Sequence, residues 1–224
     1  MRRFRQFYDL YDGKWSTLST KLSWSHYSEL LIFDDINKIN YFIKISEEQN
    51  LSIRELRTRI KNNEYERLPL KTKNKLINKE QSNVADLVKN PIIIKNNNNY
   101  DIFSEKVLQK LILEDIPSFL KELGSGFTFI DNEYKIKLGD RYNYIDLLLF
   151  NYEYNCFVVV ELKVTELKKA HIGQIQVYMN YVDNNLRKFY QDKTIGIIIY
   201  KRDNKFIMEY CSDDRIISRT YELM

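Results

Sequence analysis

Histidine is scarce in this chain: among 224 residues there are only His26 and His171. That supply is too thin for a histidine-based metal site or a Ser-His-Asp triad. Cysteine is equally sparse, with Cys156 inside a strand pattern and Cys211 near the C-terminus. Two thiols without close spacing make neither a disulfide framework nor a zinc site. No apolar run approaches the ~20 residues needed to span a bilayer, so no membrane partner is expected. The opening Met-Arg-Arg-Phe-Arg-Gln-Phe-Tyr lacks the apolar centre of a signal peptide, which points to the cytoplasm.

What is present is globular in character: 44% hydrophobic and 29% charged residues in 27.1 kDa suit one sizeable domain, alone or with a small module. Abundant lysine, asparagine, isoleucine and tyrosine read as the imprint of an AT-rich genome. Most of the 17 tyrosines are therefore taken as core residues or genome bias rather than as base-stacking groups. The net charge of +4 is mild but uneven. Residues 1–80 hold 16 Lys+Arg against 11 Asp+Glu, and residues 81–224 hold 19 against 20. A basic N-terminal third suits a small DNA-contacting module joined to a domain with its own acidic site.

The richest segment runs from Tyr144 to Lys163. Two apolar, β-branched runs of strand length flank Asn151-Tyr152-Glu153-Tyr154-Asn155, a polar turn, and predict a hairpin of two buried strands. Asp146, Glu161 and Lys163 sit inside those runs. Buried charges must pair, shift their pKa or bind a metal. The strand period of two places Glu161 and Lys163 on one face, and Asp146 can aim at the same spot. A buried salt bridge satisfies any one such triplet. The second acid and the apolar surroundings favour a site for a hard divalent cation and an attacking water.

Along the rest of the chain, Ser23 to Leu31 and Ile36 to Glu48 predict helices, the latter with Ile39, Phe42 and Ile43 at helical spacing. Ser52 and Glu55 form a capping-box pattern that opens a third helix over 51–61. Ile53, Leu56 and Ile60 fall on its apolar back; Arg54, Arg57 and Lys61 fall on its front. That is what a helix-turn-helix recognition helix needs, though an amphipathic helix with a solvated basic face uses the same residues. The polar run Lys95 to Asn99 marks a linker or an exposed loop. The expected division is a helical DNA-binding module at 1–75, a linker at 76–100 and a catalytic domain at 101–224. The last begins with a helix over 103–123, kinked or restarted at Pro117 and stopped by Gly124-Ser125-Gly126. Strands at 127–130 and 134–138 precede the central hairpin; a helix at 167–186 and strands at 195–200 and 206–211 follow it. The fold class is α/β with a mixed sheet flanked by helices, behind a small all-α module.

These residues resemble the PD-(D/E)XK nuclease superfamily, the restriction-endonuclease-like fold, in which an Asp on one strand precedes Glu-x-Lys on the next. Asp146 and Glu161-Leu162-Lys163 occupy those positions. Glu122, near the end of the preceding helix, resembles the helical glutamate many members add. Gln174-Ile175-Gln176-Val177-Tyr178 is similar to the Gln-x-x-x-Tyr motif of a subset. Nearly the full chain resembles the bacterial YhcG-type family, which joins an N-terminal winged-helix or helix-turn-helix module to such a domain. Leu22-Ser23-Trp24-Ser25-His26, Ser52-Ile53-Arg54-Glu55-Leu56, Tyr65-Glu66-Arg67-Leu68 and Gly173-Gln174 carry that resemblance. Members extend further upstream of Phe7-Tyr8, so the module is expected to be truncated.

The resemblance implies a metal-dependent endodeoxyribonuclease that leaves a 5′-phosphate. It implies Asp146, Glu161 and the Leu162 carbonyl as ligands for Mg²⁺, with Mn²⁺ as substitute, and no organic cofactor. Lys163 is expected to act as an electrostatic stabiliser, or as a base if burial lowers its pKa. Glu122 is expected at a second metal, or as a solvated helix-end acid; Gln174 is expected to orient water or phosphate and Tyr178 to support the site, the alternative being a helix-surface hydrogen-bonding pair and a core aromatic. Arg54, Arg57 and Lys61 are the expected nucleic-acid contacts, DNA the partner and a homodimer the working form. His171 is read as solvated or phosphate-contacting, outside the catalytic set. An inactive DNA-binding protein on the same fold, or an RNA-directed nuclease, are the alternatives; the intact Asp146, Glu161 and Lys163 favour the enzyme.

Overall fold

The computed structural model describes residues 22–78, 83–102, 104–202, 208, 211 and 213–224. The chain divides into two compact units, Met1–Gln81 and Ser82–Met224. The expectations attached to the first 21 residues lie outside the described residues.

In the first unit, the described residues form four helices in succession: α1 (Trp24–Leu30), α2 (Ile36–Glu48), α3 (Ile53–Lys61) and α4 (Leu70–Asn78). The starts of α2 and α3 are chemically specified. Asp35 accepts hydrogen bonds from the Asn37 and Lys38 amides, and Ser52 with Glu55 closes the expected capping box. Leu30, Ile39, Phe42, Ile45, Leu51, Leu56, Tyr65 and Leu68 form the core. Buried His26 bridges elements, its ring meeting the Ser23 hydroxyl at 2.9 Å and the Leu51 carbonyl at 3.0 Å.

The second unit is built on a six-stranded mixed sheet. Its strands are β1 (Ile92–Ile94), β2 (Phe127–Leu138), β3 (Arg141–Asn151), β4 (Cys156–Glu166), β5 (Asp192–Arg202) and β6 (Ile216–Leu223). They lie in the order β1-β6-β5-β4-β3-β2; β2, β3 and β4 are antiparallel, and β4, β5, β6 and β1 run parallel. One face packs on α5 (Val84–Leu87), α6 (Glu105–Glu114) and α7 (Ile116–Leu123), the other on α8 (Lys169–Asn185). Strands covered on both faces read as continuous apolar runs, which is why Phe157 to Val160 shows no alternation. Gly196 on β5 permits a close approach of α8: a Cβ there would lie 2.6 Å from the Met179 sulfur.

Several local expectations change. The stretch read as a linker, 76–100, supplies α4's end, α5 and the edge strand β1. Val84, Val88, Ile92 and Ile94 are buried in the core, and Arg219 on β6 donates to the Val88 and Ala85 carbonyls at 2.9 and 3.1 Å. Strands 127–130 and 134–138 are one strand, β2, with an irregularity between Phe129 and Asp131. The helix over 103–123 restarts at Pro117 as expected: Asp115 caps α7, with Pro117 in its first turn, where no amide is needed. Most of the strand expected at 206–211 lies outside the described residues, and the last described strand is β6. Among the described residues, no helix is long and apolar enough to cross a membrane.

Candidate active site

The hairpin of β3 and β4 pairs its backbone from Asn151↔Cys156 as far as Leu147↔Val160, and there the ladder stops. Asp146 and Glu161 are the next opposed residues. With the strands no longer paired, the Leu162 amide turns to a side chain and donates to Asp146 Oδ2 at 2.8 Å. On the other side of Asp146, Glu133 of β2 adopts a left-handed backbone, φ 50°. Such a local irregularity re-aims neighbouring side chains. The alternation of β3 breaks there as well, Ile145 and Leu148 both packing on the α8 face.

Glu161 is 1% exposed. Its Oε2 accepts from Lys163 Nζ at 3.2 Å, while Oε1 is buried without a hydrogen-bond partner. Burial and the neighbouring Asp146 carboxylate push the Glu161 carboxyl up to about 8, against the pull of Lys163. Asp146 is raised by the same desolvation, which its bond from Leu162 and the charge of Lys163 oppose. Burial pulls the Lys163 ammonium down, but Glu161, Glu105 and Asp146 outweigh it and hold the group above its ordinary value. This favours the cationic role over a burial-lowered base: desolvation alone is visible locally, and the surrounding acids outweigh it.

Two residues on α6 complete the constellation and went unnoticed in the sequence. Glu105, in the first turn behind the Ser104 cap, lies 3.4 Å from Lys163 Nζ. Gln109, one turn on, donates to the Asp146 carbonyl at 2.8 Å and fixes the strand at that point. The available signal was an acid just inside a capped helix start, a pattern explained equally by the helix dipole. On α8, Gln174 donates to the Tyr178 hydroxyl at 3.1 Å. Burial and the Glu161 and Asp146 charges raise the Tyr178 phenol, although the bond from Gln174 opposes them, so it stays a protonated donor.

Glu122 is placed elsewhere. Its Oε1 accepts the Ile93 amide at 3.0 Å and its carboxylate pairs with buried Lys89 at 3.7 Å. β1 is three strands from β4 in the sheet, a separation of about 14 Å. Glu122 therefore anchors the edge strand; the helical acid beside Lys163 is Glu105. In the first unit, Arg54, Arg57 and Lys61 are exposed on α3, with Arg57 bound to Glu29 at 2.8 Å.

Among the described residues, no group of three or more His, Cys, Asp or Glu side chains is disposed to hold a metal by itself. Two carboxylates and one carbonyl nevertheless suit Mg²⁺, which keeps several waters and demands few protein ligands. The partnerless Glu161 Oε1 is the observation that fits: an orphan buried carboxylate oxygen lacks a cation or donor.

Residues 85–223 match the family described as the YhcG PDDEXK nuclease domain. The chain belongs to this family. Residues 1–67 match a second description, the DUF1016 N-terminal domain. The chain is 25% identical over 195 residues to the Escherichia coli (strain K12) protein named "Putative nuclease YhcG", covering 83% of this chain and 52% of that protein. It thus spans about half the length of that curated relative. Among solved structures, a repair endonuclease from Pyrococcus abyssi overlaps 55% of this chain and 49% of its own, at 21% identity and a TM-score of 0.40. A structure of EndoMS with double-stranded DNA overlaps 55% and 48%, at 20% identity and 0.41. Neither overlap bears on the chemistry. The fold seen here, a mixed sheet with flanking helices and an Asp/Glu-x-Lys strand end, is that expected of a PD-(D/E)XK nuclease.

Proposed function

We propose that this protein is a metal-dependent endonuclease hydrolysing DNA phosphodiester bonds. The observation that carries the proposal is the buried Glu161 carboxylate, shared between Lys163 and an oxygen without a partner, opposite Asp146 where the β3–β4 ladder ends. A structural ion pair gains nothing from a second acid and an unsatisfied oxygen. A cation site does.

Asp146 and Glu161, with the Leu162 carbonyl, would hold Mg²⁺ or, in its place, Mn²⁺. When bound, the metal supplies Lewis-acid stabilisation of the phosphate and a more acidic water. Lys163 donates to a non-bridging phosphate oxygen, countering charge as the water oxygen bonds to phosphorus and gives its proton to solvent, and as the P–O3′ bond breaks and O3′ takes a proton from solvent. The products are a 5′-phosphate and a 3′-hydroxyl. Glu105 orients Lys163 from α6, and Gln109 holds the Asp146 backbone. Gln174 and Tyr178 offer donors from α8 to water or phosphate. In this reading the first unit, through Arg54, Arg57 and Lys61, is a helix-turn-helix contact to DNA, and a cytoplasmic homodimer supplies the second site that duplex cleavage requires.

The test is cleavage of supercoiled, linear, single-stranded and branched DNA with Mg²⁺, Mn²⁺ or EDTA, beside Asp146→Ala and Lys163→Ala. Metal-dependent cutting lost in both variants is expected. Binding without cutting by every form, under every metal, refutes the enzyme on DNA, and the same series on RNA then decides between an RNA-directed enzyme and a binding protein.

A further inference from the structure

Beyond the point where β4 leaves the ladder, β2 and β3 continue as a two-stranded ribbon to the turn at Gly139. Its two faces differ. Ile136 and Ile145 are buried on the α8 side, with Tyr134 and Leu138 packed beside them. The opposite face carries two rungs, Lys135↔Tyr144 and Lys137↔Tyr142. Tyr142 is 55% and Tyr144 50% exposed, and both lysines are exposed. Lys135 Nζ stands 3.8 Å from the centre of the Tyr142 ring, so the two rungs form one packed array. Tyr144 precedes Asp146 by two residues, about 7 Å along the strand, and Tyr142 lies about 14 Å away.

Tyr142 and Tyr144 are about half in solvent and lie outside the core clusters, so the core makes little use of this face. The site beside it does need a cationic neighbour. Acids gather there, Asp146, Glu105 and Glu133 around Lys163, and a cationic surface beside them favours the approach of a phosphodiester. We infer that Lys135, Lys137, Tyr142 and Tyr144 form a platform for an unpaired stretch of the substrate strand, leading its backbone to Asp146. This rests on the nuclease reading above. The lysines track phosphates. Aromatic faces stack only on bases not already stacked in a duplex, so the array selects single-stranded over double-stranded nucleic acid. The acids of the ribbon, Glu133 and Asp140, are exposed at its two ends and outside the rungs.

The experiment is fluorescence anisotropy of the full chain with a labelled single-stranded DNA oligonucleotide and with its duplex, in EDTA so that binding is read without chemistry. The double variant Tyr142→Ala/Tyr144→Ala is expected to weaken single-strand binding at least about tenfold. Duplex binding should change by less than about twofold, and Tyr142→Phe/Tyr144→Phe should retain wild-type affinity because its rings still stack. Lys135→Ala/Lys137→Ala should lower the slope of log affinity against log salt by about 1.4 on the single strand. The inference is overturned if the alanine double variant binds like wild type, if strand and duplex lose equally, or if the wild type binds no single strand. Ribbon-dependent binding by a wild type that never cleaves strikes the nuclease reading alone.

Discussion

Replacing Glu161 by glutamine should flatten the pH dependence of folding. Glu161 has a folded-state pKa of about 8 against an ordinary value of 4.5. The folded chain therefore binds this proton more tightly than the unfolded chain. The associated stability is complete below the unfolded value and is lost as pH rises towards the folded one. Between about pH 5 and about pH 8 the wild type is expected to lose about 3 kcal/mol in EDTA, at 1.36 kcal/mol per pKa unit. Glu161→Gln keeps the shape and cannot ionise, so that loss should vanish, whatever the variant's stability at any one pH. Urea unfolding at several pH values in EDTA measures the two slopes. Parallel slopes would refute the idea that Glu161 is held against ionisation by burial and Asp146. Adding Mg²⁺ should restore wild-type stability at the alkaline end and do nothing for the variant, since the metal and the proton compete for one carboxylate.

Three further outcomes separate chemistry from architecture. Lys163→Ala should lower the cleavage rate by about 10²–10³-fold, the loss typical of one electrostatic donor to a transition state; a change under about twofold would make Lys163 a structural counter-ion. Glu105→Gln should slow cleavage while shifting urea stability by less than about 1 kcal/mol, because its side chain is 44% exposed. Glu122→Gln should do the reverse, removing about 1–3 kcal/mol by weakening the hold on Ile93 and buried Lys89 while the cleavage rate of the folded protein stays within about twofold.

The core of the candidate site is legible in the sequence because its signals are local. Charges at Asp146, Glu161 and Lys163 interrupt β-branched runs, and the period of two fixes which of them share a face. The helical acid was not readable in the same way. Glu105 and Glu122 stand at opposite ends of the 103–123 stretch, and only the docking of α6 and α7 decides which meets Lys163. The edge strand β1 escaped notice because three isoleucines carry little pattern, and their partner Tyr221 lies far along the chain. Lys163 shows the electrostatic version of that limit. Its burial follows from its neighbours in sequence, but the acids that reverse the pKa shift come from three separate elements. The exposed pair Tyr142 and Tyr144 likewise looked like more of the same in a tyrosine-rich chain until register set them against two lysines.

The end of the β3–β4 ladder also divides what can vary from what cannot. Below Leu147↔Val160, a register slip would carry the acids to the wrong face of the sheet. Above it, the ribbon turns at Gly139, where an added Cβ would meet nothing within 4 Å. Inserting two residues in each strand there would extend the ribbon by about 7 Å and leave Asp146, Glu161 and Lys163 where they are. The arrangement is modular: a fixed cluster of charges with an adjustable reach, open to anyone who changes the length of one hairpin.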